Sequence, residues 1–388
     1  MPTVARPTNR FFRKGSLVSE QPKPALFLKT PSAEGRFEVE SRGFFAFDTN
    51  CRIKAAIPRD AATPVSCRRL SEALDEAVGL CYRYERMWSH TREGSDIWRL
   101  NHAQGRPVTV SRETAVILKA ARHYYEETVG LFDIAMAPVA ELWNHHRAQV
   151  PSTDVIARAL ETVKVGQPRV AEDYAQLPTP ESKVSLGGIA KGYIADRVGE
   201  LFEKRQILHA LVDLGGNIVI KGEPFLGKEG QAHWSVGIRS PFHALERNRA
   251  EKRAAALARS PHGIDLRTLR NKQMTAEQPA CILELNDCSI VTSSIYERCF
   301  ADEKGMVYHH IADPRTGRPS ESDLASATVI SKRSIDGDGL STALLLMGSD
   351  WAAEYVEEHP GIEAVLMTRD GDLLPTSGIR KALSNCSR

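Results

Sequence analysis

The chain has no long apolar run. Nowhere does a stretch approach the roughly 18 consecutive apolar residues that a membrane-spanning helix requires. It also lacks an excess of either charge. Lys plus Arg number 51 against 49 Asp plus Glu, a net charge of +2 over 388 residues. That balance argues against a strongly basic nucleic-acid binder and gives no reason to expect an acidic substrate. Cysteine spacing of the zinc-holding kinds is missing. Cys51, Cys67, Cys81, Cys281, Cys288, Cys299 and Cys386 form no Cys-x-x-Cys pair and read as reduced thiols. No segment repeats, and collagen-like, disordered and disulfide-scaffold compositions are excluded. The leading segment is basic and contains Pro and Ser, without the apolar core of about seven residues that a secretory signal needs. No cysteine for lipid attachment lies in its first thirty residues. It reads as a flexible extension over 1–43, and a cytoplasmic location follows as the expectation. What remains is a globular protein with 42% hydrophobic residues, long enough for two domains or one two-lobed unit.

From Gly43 the pattern becomes that of a folded domain. Residues 44–57 read as a strand with partial alternation. Residues 66–88 carry Leu70, Leu74, Val78 and Cys81 at helical spacing. A second helix is expected over 111–128, capped by Ser111, and a third over 152–162, followed by two short strands. Residues 183–222 read as strand, glycine turn, helix, strand, glycine turn, strand. Further strands are expected at Trp234–Ile238, near 280–292, at 306–313 and at 325–331, with a helix from Asp338 to Gly348 and two last strands around an Arg-Asp-Gly turn. Residues 244–275 form an insert with eight Lys/Arg against three Asp/Glu, the pattern of a solvated helix. Strands and helices alternate irregularly, which favours an α+β class over a doubly wound sheet.

Three motifs carry chemistry. In Ser185-Leu186-Gly187-Gly188-Ile189-Ala190-Lys191-Gly192-Tyr193, glycines precede a helix whose N–H groups point outward, and Lys191 adds a charge in its first turn. This is either a tight strand-to-helix turn or a phosphate cradle, and Lys191 among small residues favours the cradle. In Tyr308-His309-His310-Ile311-Ala312-Asp313, strand alternation places the two histidines on opposite faces. One can face a pocket as general base, the other the core or solvent. In Asp338-Gly339-Leu340-Ser341-Thr342, a carboxylate and a hydroxyl lie one helical turn apart, a hard-oxygen pair suited to Mg²⁺. The competing reading makes Asp338 a helix cap on Ser341, with Asp336 as a rival cap.

Together these blocks resemble the ApbE-type FAD:protein FMN transferases. The resemblance extends to WSHTREGSDIWRLN, TVGLFDIAMAPVAELWN, ALVDLGGNIVIKG, WSVGIRSP and SIVTSSIYERCF, covering residues 44–380. It implies a two-lobed α+β fold with mixed sheets and packed helices, and a short tail over 381–388. It also implies Mg²⁺-dependent transfer of FMN from FAD to a Thr or Ser hydroxyl of a separate acceptor flavoprotein, with AMP released. Carried over by position, the resemblance assigns the metal to the Gly188 carbonyl, Asp338 and Thr342. Lys191 falls beside the FAD phosphates. Leu131, Phe132 and Asp133, with Ser185 and Ile311, fall at the flavin nucleotide, and His310 falls at the base. The sequence departs from the family pattern at Ser185 (where Asp is usual), at Thr292-Ser293-Ser294, at Phe47-Asp48-Thr49, at Thr91 and at Trp98. Two other activities fit the same residues, an FAD pyrophosphatase and a non-catalytic FAD-binding protein. No nucleic-acid partner and no membrane span are expected.

Overall fold

The computed structural model describes residues 36–143, 149–226, 231–240, 279–296, 298–302 and 306–384. The chain opens with strands β1 (Phe37–Ala46) and β2 (Thr49–Pro58) and helices α1 (Pro64–Trp88) and α2 (Asp96–His102). Strand β3 (Val108–Thr109) leads to α3 (Arg112–Glu127), α4 (Ala137–Ala140) and α5 (Thr153–Lys164), then β4 (Arg169–Val170) and β5 (Tyr174–Gln176). Next come α6 (Ala190–Lys204), β6 (His209–Asp213), β7 (Asn217–Lys221), β8 (Trp234–Arg239), β9 (Pro279–Leu285) and β10 (Cys288–Ser294). Strands β11 (Cys299–Ala301), β12 (Val307–His309) and β13 (Leu324–Ser331) precede α7 (Ser334–Met347) and α8 (Ser349–Glu358). The last strands are β14 (Ile362–Thr368), β15 (Leu373–Pro375) and β16 (Leu383–Ser384).

An eight-stranded sheet in the order β1-β2-β6-β7-β10-β13-β14-β15 organises the molecule. Its strands alternate side chains between two faces, and each face builds its own core. On one face Ile53, Ala55, Val212, Val219, Val329 and Leu366 pack with residues of α1, α3, α6 and α7. On the other, Ala56, Leu211, Ile218, Ile290, Ile330 and Val365 pack against Trp234, Val236 and Leu283 of the small sheet β16-β9-β8. A third cluster joins Val139, Trp143, Ile156 and Leu160 to Phe300. The α+β expectation holds. The sheets were expected to be mixed, but every pairing among the described residues is antiparallel. No helix among the described residues is long and apolar enough to cross a membrane.

Local signals account for several boundaries. Helix α1 begins where Thr63 accepts from Ser66 N–H in a capping box with Pro64 behind it. Helix α3 begins where the Ser111 hydroxyl accepts from Thr114 N–H, as expected. Other expectations need correction. Residues 44–57 are a hairpin rather than one strand, and β1 already starts at Phe37, inside the expected extension. Phe47 and Asp48 both have φ near +57°, at 56° and 58°, the conformation of a two-residue hairpin turn that usually calls for Gly or Asn. The segment before the first glycine loop is not a strand. Val184 instead gives its N–H and C=O to the Asn101 side chain at 2.9 Å each. Part of the expected tail is folded, since β16 pairs with β9. The basic insert 244–275 lies outside the described residues.

Candidate active site

Helix α7 starts at Ser334, four residues before the expected Asp338, because a distant carboxylate caps it. Asp196 of α6 accepts Ser334 N–H at 2.7 Å and Ile335 N–H at 3.1 Å. Asp338 therefore sits one turn inside α7 and does not cap Ser341 of its own helix; its carboxylate reaches the first turn of α6 instead. Its carboxylate is 6% exposed. Oδ2 accepts Gly192 N–H at 2.6 Å and Oδ1 accepts the Asn217 amide at 3.2 Å. Burial pushes this carboxyl above its ordinary range, opposed first by the Lys191 ammonium and then by the two hydrogen bonds. Helices α6 and α7 approach closely here. A Cβ on Gly192 would lie 2.4 Å from the Ser334 carbonyl oxygen.

Lys191 reaches the second glycine turn, where its Nζ donates to the Gly215 carbonyl at 3.2 Å. Asp213 shapes that turn by accepting Gly215 N–H at 2.9 Å. Burial raises the Asp213 carboxyl, while the Gly215 and Gly216 amides and then Lys191 pull it down. Gly215, at φ 75°, packs against Thr49, whose side-chain atoms a Cβ would meet at 2.4 Å. The Phe47-Asp48-Thr49 turn thus closes one wall of this corner. One turn after Asp338, Thr342 shares a hydrogen bond with Ser293 Oγ at 2.9 Å, and Ser293 Oγ also meets Ser341 Oγ at 2.9 Å.

The other expected nucleotide residues form an adjoining group. The Phe132 ring covers exposed Gly188, with Cε2 3.3 Å from where a Cβ would stand. Ser185 N–H donates to the Ile134 carbonyl at 2.9 Å, which ties the Leu131–Asp133 segment to the glycine loop. Leu131 is half-buried at its surface. Asp133 caps the short turn Ile134–Met136: its Oδ1 accepts Ala135 N–H and Gln167 Nε2, both at 2.7 Å. Burial moves its carboxyl up to about 6. This oxygen is engaged within the fold, so the Asp133 side chain supports the loop first.

The strand expected over 306–313 is shorter than that, so His310 lies just beyond its end. His309 ends β12, is 5% exposed, and bonds the Ser320 carbonyl through Nε2 at 3.2 Å. Burial lowers its pKa to about 4, so at neutral pH the ring is uncharged and Nε2 carries the donated proton. His310 is half-buried, with its backbone N–H on the Arg298 carbonyl at 3.1 Å. Arg298 is ion-paired with Asp48 at 3.4 Å, which links this hairpin to the β1–β2 turn. Ile311 is buried and accepts Ser320 N–H at 2.9 Å.

Asp338 and Thr342 stand one turn apart on α7, and with the Gly188 carbonyl they would make a hard-oxygen set of the kind Mg²⁺ prefers while keeping several waters. No group of three or more His, Cys, Asp or Glu gathers among the described residues, so a softer or carboxylate-rich metal centre is not built there. Gly192 N–H, which an ideal helix would give to the Gly188 carbonyl, goes to Asp338 instead. That leaves the Gly188 oxygen outside the helix ladder. A buried carboxylate held only by neutral donors gains from a cation, so the residues fit a divalent ion. Reasoning from sequence missed Asn217, Asp196 and Ser293 as parts of this centre. Asn217 follows the second glycine pair directly, and Asp196 stands one turn after Gly192, the two signals that could have found them.

The folded chain matches solved structures along most of its length. The ApbE protein from Thermotoga maritima covers 90% of this chain and 100% of its own, with a TM-score of 0.70 at 24% identity. The flavin transferase ApbE from Vibrio cholerae covers 89% and 99%, with a TM-score of 0.69 at 23% identity. The architecture is therefore that of an ApbE-type α+β protein. The ApbE family model matches residues 47–366, and the chain belongs to the ApbE family. A relative named FAD:protein FMN transferase in Treponema pallidum (strain Nichols) is 32% identical over 95% of this chain and 94% of its own length. Another of that name in Klebsiella pneumoniae (strain 342) is 32% identical over 80% and 88%.

Proposed function

We propose that this enzyme transfers FMN from FAD to a Thr or Ser hydroxyl of an acceptor flavoprotein and releases AMP. The observation that carries the reading is the buried Asp338 carboxylate, held by Gly192 N–H and the Asn217 amide beside Lys191 and Thr342. It stands in a chain that shares 32% identity with named FAD:protein FMN transferases along nearly its whole length. In the reaction the acceptor oxygen attacks the phosphorus on the FMN side of the pyrophosphate. The bond from that phosphorus to the bridging oxygen breaks, and AMP departs with the bonding pair. His310 takes the hydroxyl proton as general base. Lys191, steered by the Gly215 carbonyl, supplies positive charge where the pyrophosphate lies. Phe132 and Leu131 offer apolar surface beside the glycine loop, and the Phe47-Asp48-Thr49 turn bounds the corner. Asp338, Thr342 and the Gly188 carbonyl would hold Mg²⁺, which would supply neutralisation of charge developing on the phosphates.

The test is incubation with FAD and Mg²⁺, with and without an acceptor protein. AMP formed only with acceptor, and flavin bound covalently to it, supports transfer. AMP formed equally without acceptor refutes transfer in favour of an FAD pyrophosphatase, and intact bound FAD in favour of a binding protein. Asp338→Ala should abolish Mg²⁺-dependent turnover. Thr342→Ala should only raise the Mg²⁺ midpoint, because water can replace a hydroxyl.

A further inference from the structure

A buried row of neutral groups runs behind the Asp338 carboxylate. Ser289 Oγ donates to Ser334 Oγ at 2.9 Å, Ser334 Oγ donates to Asn217 Oδ1 at 2.7 Å, and Asn217 Nδ2 donates to Asp338 Oδ1 at 3.2 Å. Ser289, Ser334 and Asn217 are each 0% exposed. The three come from β10, the first turn of α7 and the start of β7, so the row ties three elements to one carboxylate oxygen. The chemistry of the groups fixes its direction. An amide oxygen can only accept and an amide nitrogen only donate. Ser334 receives the Ser289 proton and gives its own to the Asn217 oxygen, which turns the amide N–H groups toward Asp338. Were the amide reversed, its oxygen would face the carboxylate, and two acceptors would meet in a buried site.

We propose that Asn217, oriented by Ser334 and Ser289, is the positioning residue that fixes the Asp338 carboxylate for a divalent cation. This rests on the cation site of the function proposed above. The Gly192 N–H holds the other oxygen, so together the two donors set the rotation of the carboxylate and leave its remaining lone pairs free. Without the Asn217 donor the carboxylate keeps one anchor and can turn. Outer partners of this kind are worth about 10–100-fold in metal affinity. The loss should diminish along the row. Asn217→Ala removes the donor itself, Ser334→Ala removes what orients it, and Ser289→Ala removes only the last support.

The experiment is titration of the full chain with Mn²⁺, a paramagnetic stand-in for Mg²⁺, followed by electron paramagnetic resonance without FAD, with melting temperatures recorded in parallel. The expected result is a midpoint raised by about 10–100-fold for Asn217→Ala, less for Ser334→Ala and least for Ser289→Ala. A merely structural row would lower melting temperatures and leave the midpoints unmoved. Folded Asn217→Ala binding Mn²⁺ like the wild type overturns the proposal. If that variant does not fold, wild-type affinity in Ser334→Ala overturns it equally. Wild-type protein that binds Mn²⁺ no better than Asp338→Ala overturns the cation site and this proposal together. Wild-type binding with unshifted row variants overturns the proposal alone.

Discussion

Replacing Gly192 with Ala tests whether the contact between α6 and α7 makes the site. The added Cβ would stand 2.4 Å from the Ser334 oxygen, 2.7 Å from Ile335 Cα and 2.8 Å from the Ser334 carbonyl carbon. All three are backbone atoms, so no rotamer change relieves them. The helices must separate by about 1 Å to restore ordinary contact. Overpacking of this kind costs about 1–3 kcal/mol, partly offset by roughly 0.5–1 kcal/mol from placing Ala where Gly stood in a helix. The net cost of up to about 2.5 kcal/mol lowers the melting temperature by up to about 3 °C in a chain of this length. The same displacement would stretch the 2.6 Å bond from Gly192 N–H to Asp338 past the ~3.2 Å reach of a good hydrogen bond. Cation affinity should therefore fall with stability. Gly79 supplies the control: it is exposed within α1, and nothing lies within 4 Å of its added Cβ. Gly79→Ala should stabilise by about 0.4–1 kcal/mol and leave cation binding alone. Thermal melts and Mn²⁺ titrations of both variants are the assay. A Gly192→Ala protein that melts and binds Mn²⁺ like the wild type would refute the reasoning.

His310→Ala should slow flavin transfer by about 10²–10⁴-fold while FAD binding is kept, whereas His309→Ala should lower the melting temperature, because its buried ring bonds the Ser320 carbonyl. Single-turnover rates decide, and a slower chemical step in His309→Ala than in His310→Ala would reverse the assignment. Burial moves the Asp196 carboxyl up to about 6, above its unfolded value of about 3.9. The folded state then binds that proton more tightly, so this group makes stability fall as pH rises from about 4 to 6. Asn at 196 keeps an oxygen for the α7 amides and removes the charge, so the wild-type minus variant difference in urea-unfolding free energy should shrink with rising pH over that window. His309, lowered to about 4, acts with the opposite sign but is common to both proteins. A difference that does not vary with pH would show that Asp196 titrates normally.

What could be read from the sequence depended on how far each residue's partner lies along the chain. Helix α1 was legible from the helical spacing of Leu70, Leu74, Val78 and Cys81, and α3 from Ser111, whose hydroxyl bonds the amide three residues on. The start of α7 was not, because its cap, Asp196, comes from another helix 138 residues earlier. Val184, in the alternating run Lys183-Val184-Ser185-Leu186, passed for a strand residue, but a side chain from α2 satisfies its backbone. The β1–β2 turn was hidden by its composition, since Phe47 and Asp48 take left-handed conformations without the glycine that would announce them. The site divides in the same way. Lys191 and Asp338 could be named as charge carriers from local pattern alone. What opposes the effect of burial on the Asp338 carboxyl is long-range, namely the field of Lys191, the Gly192 amide and the Asn217 side chain. Lys191 and the Gly192 amide belong to the first turn of α6, which lies against the first turn of α7 because residue 192 is a glycine, while Asn217 comes from β7. The chemistry at this corner is therefore a property of the helix–helix contact, and residues that touch no phosphate should control it as strongly as those that do.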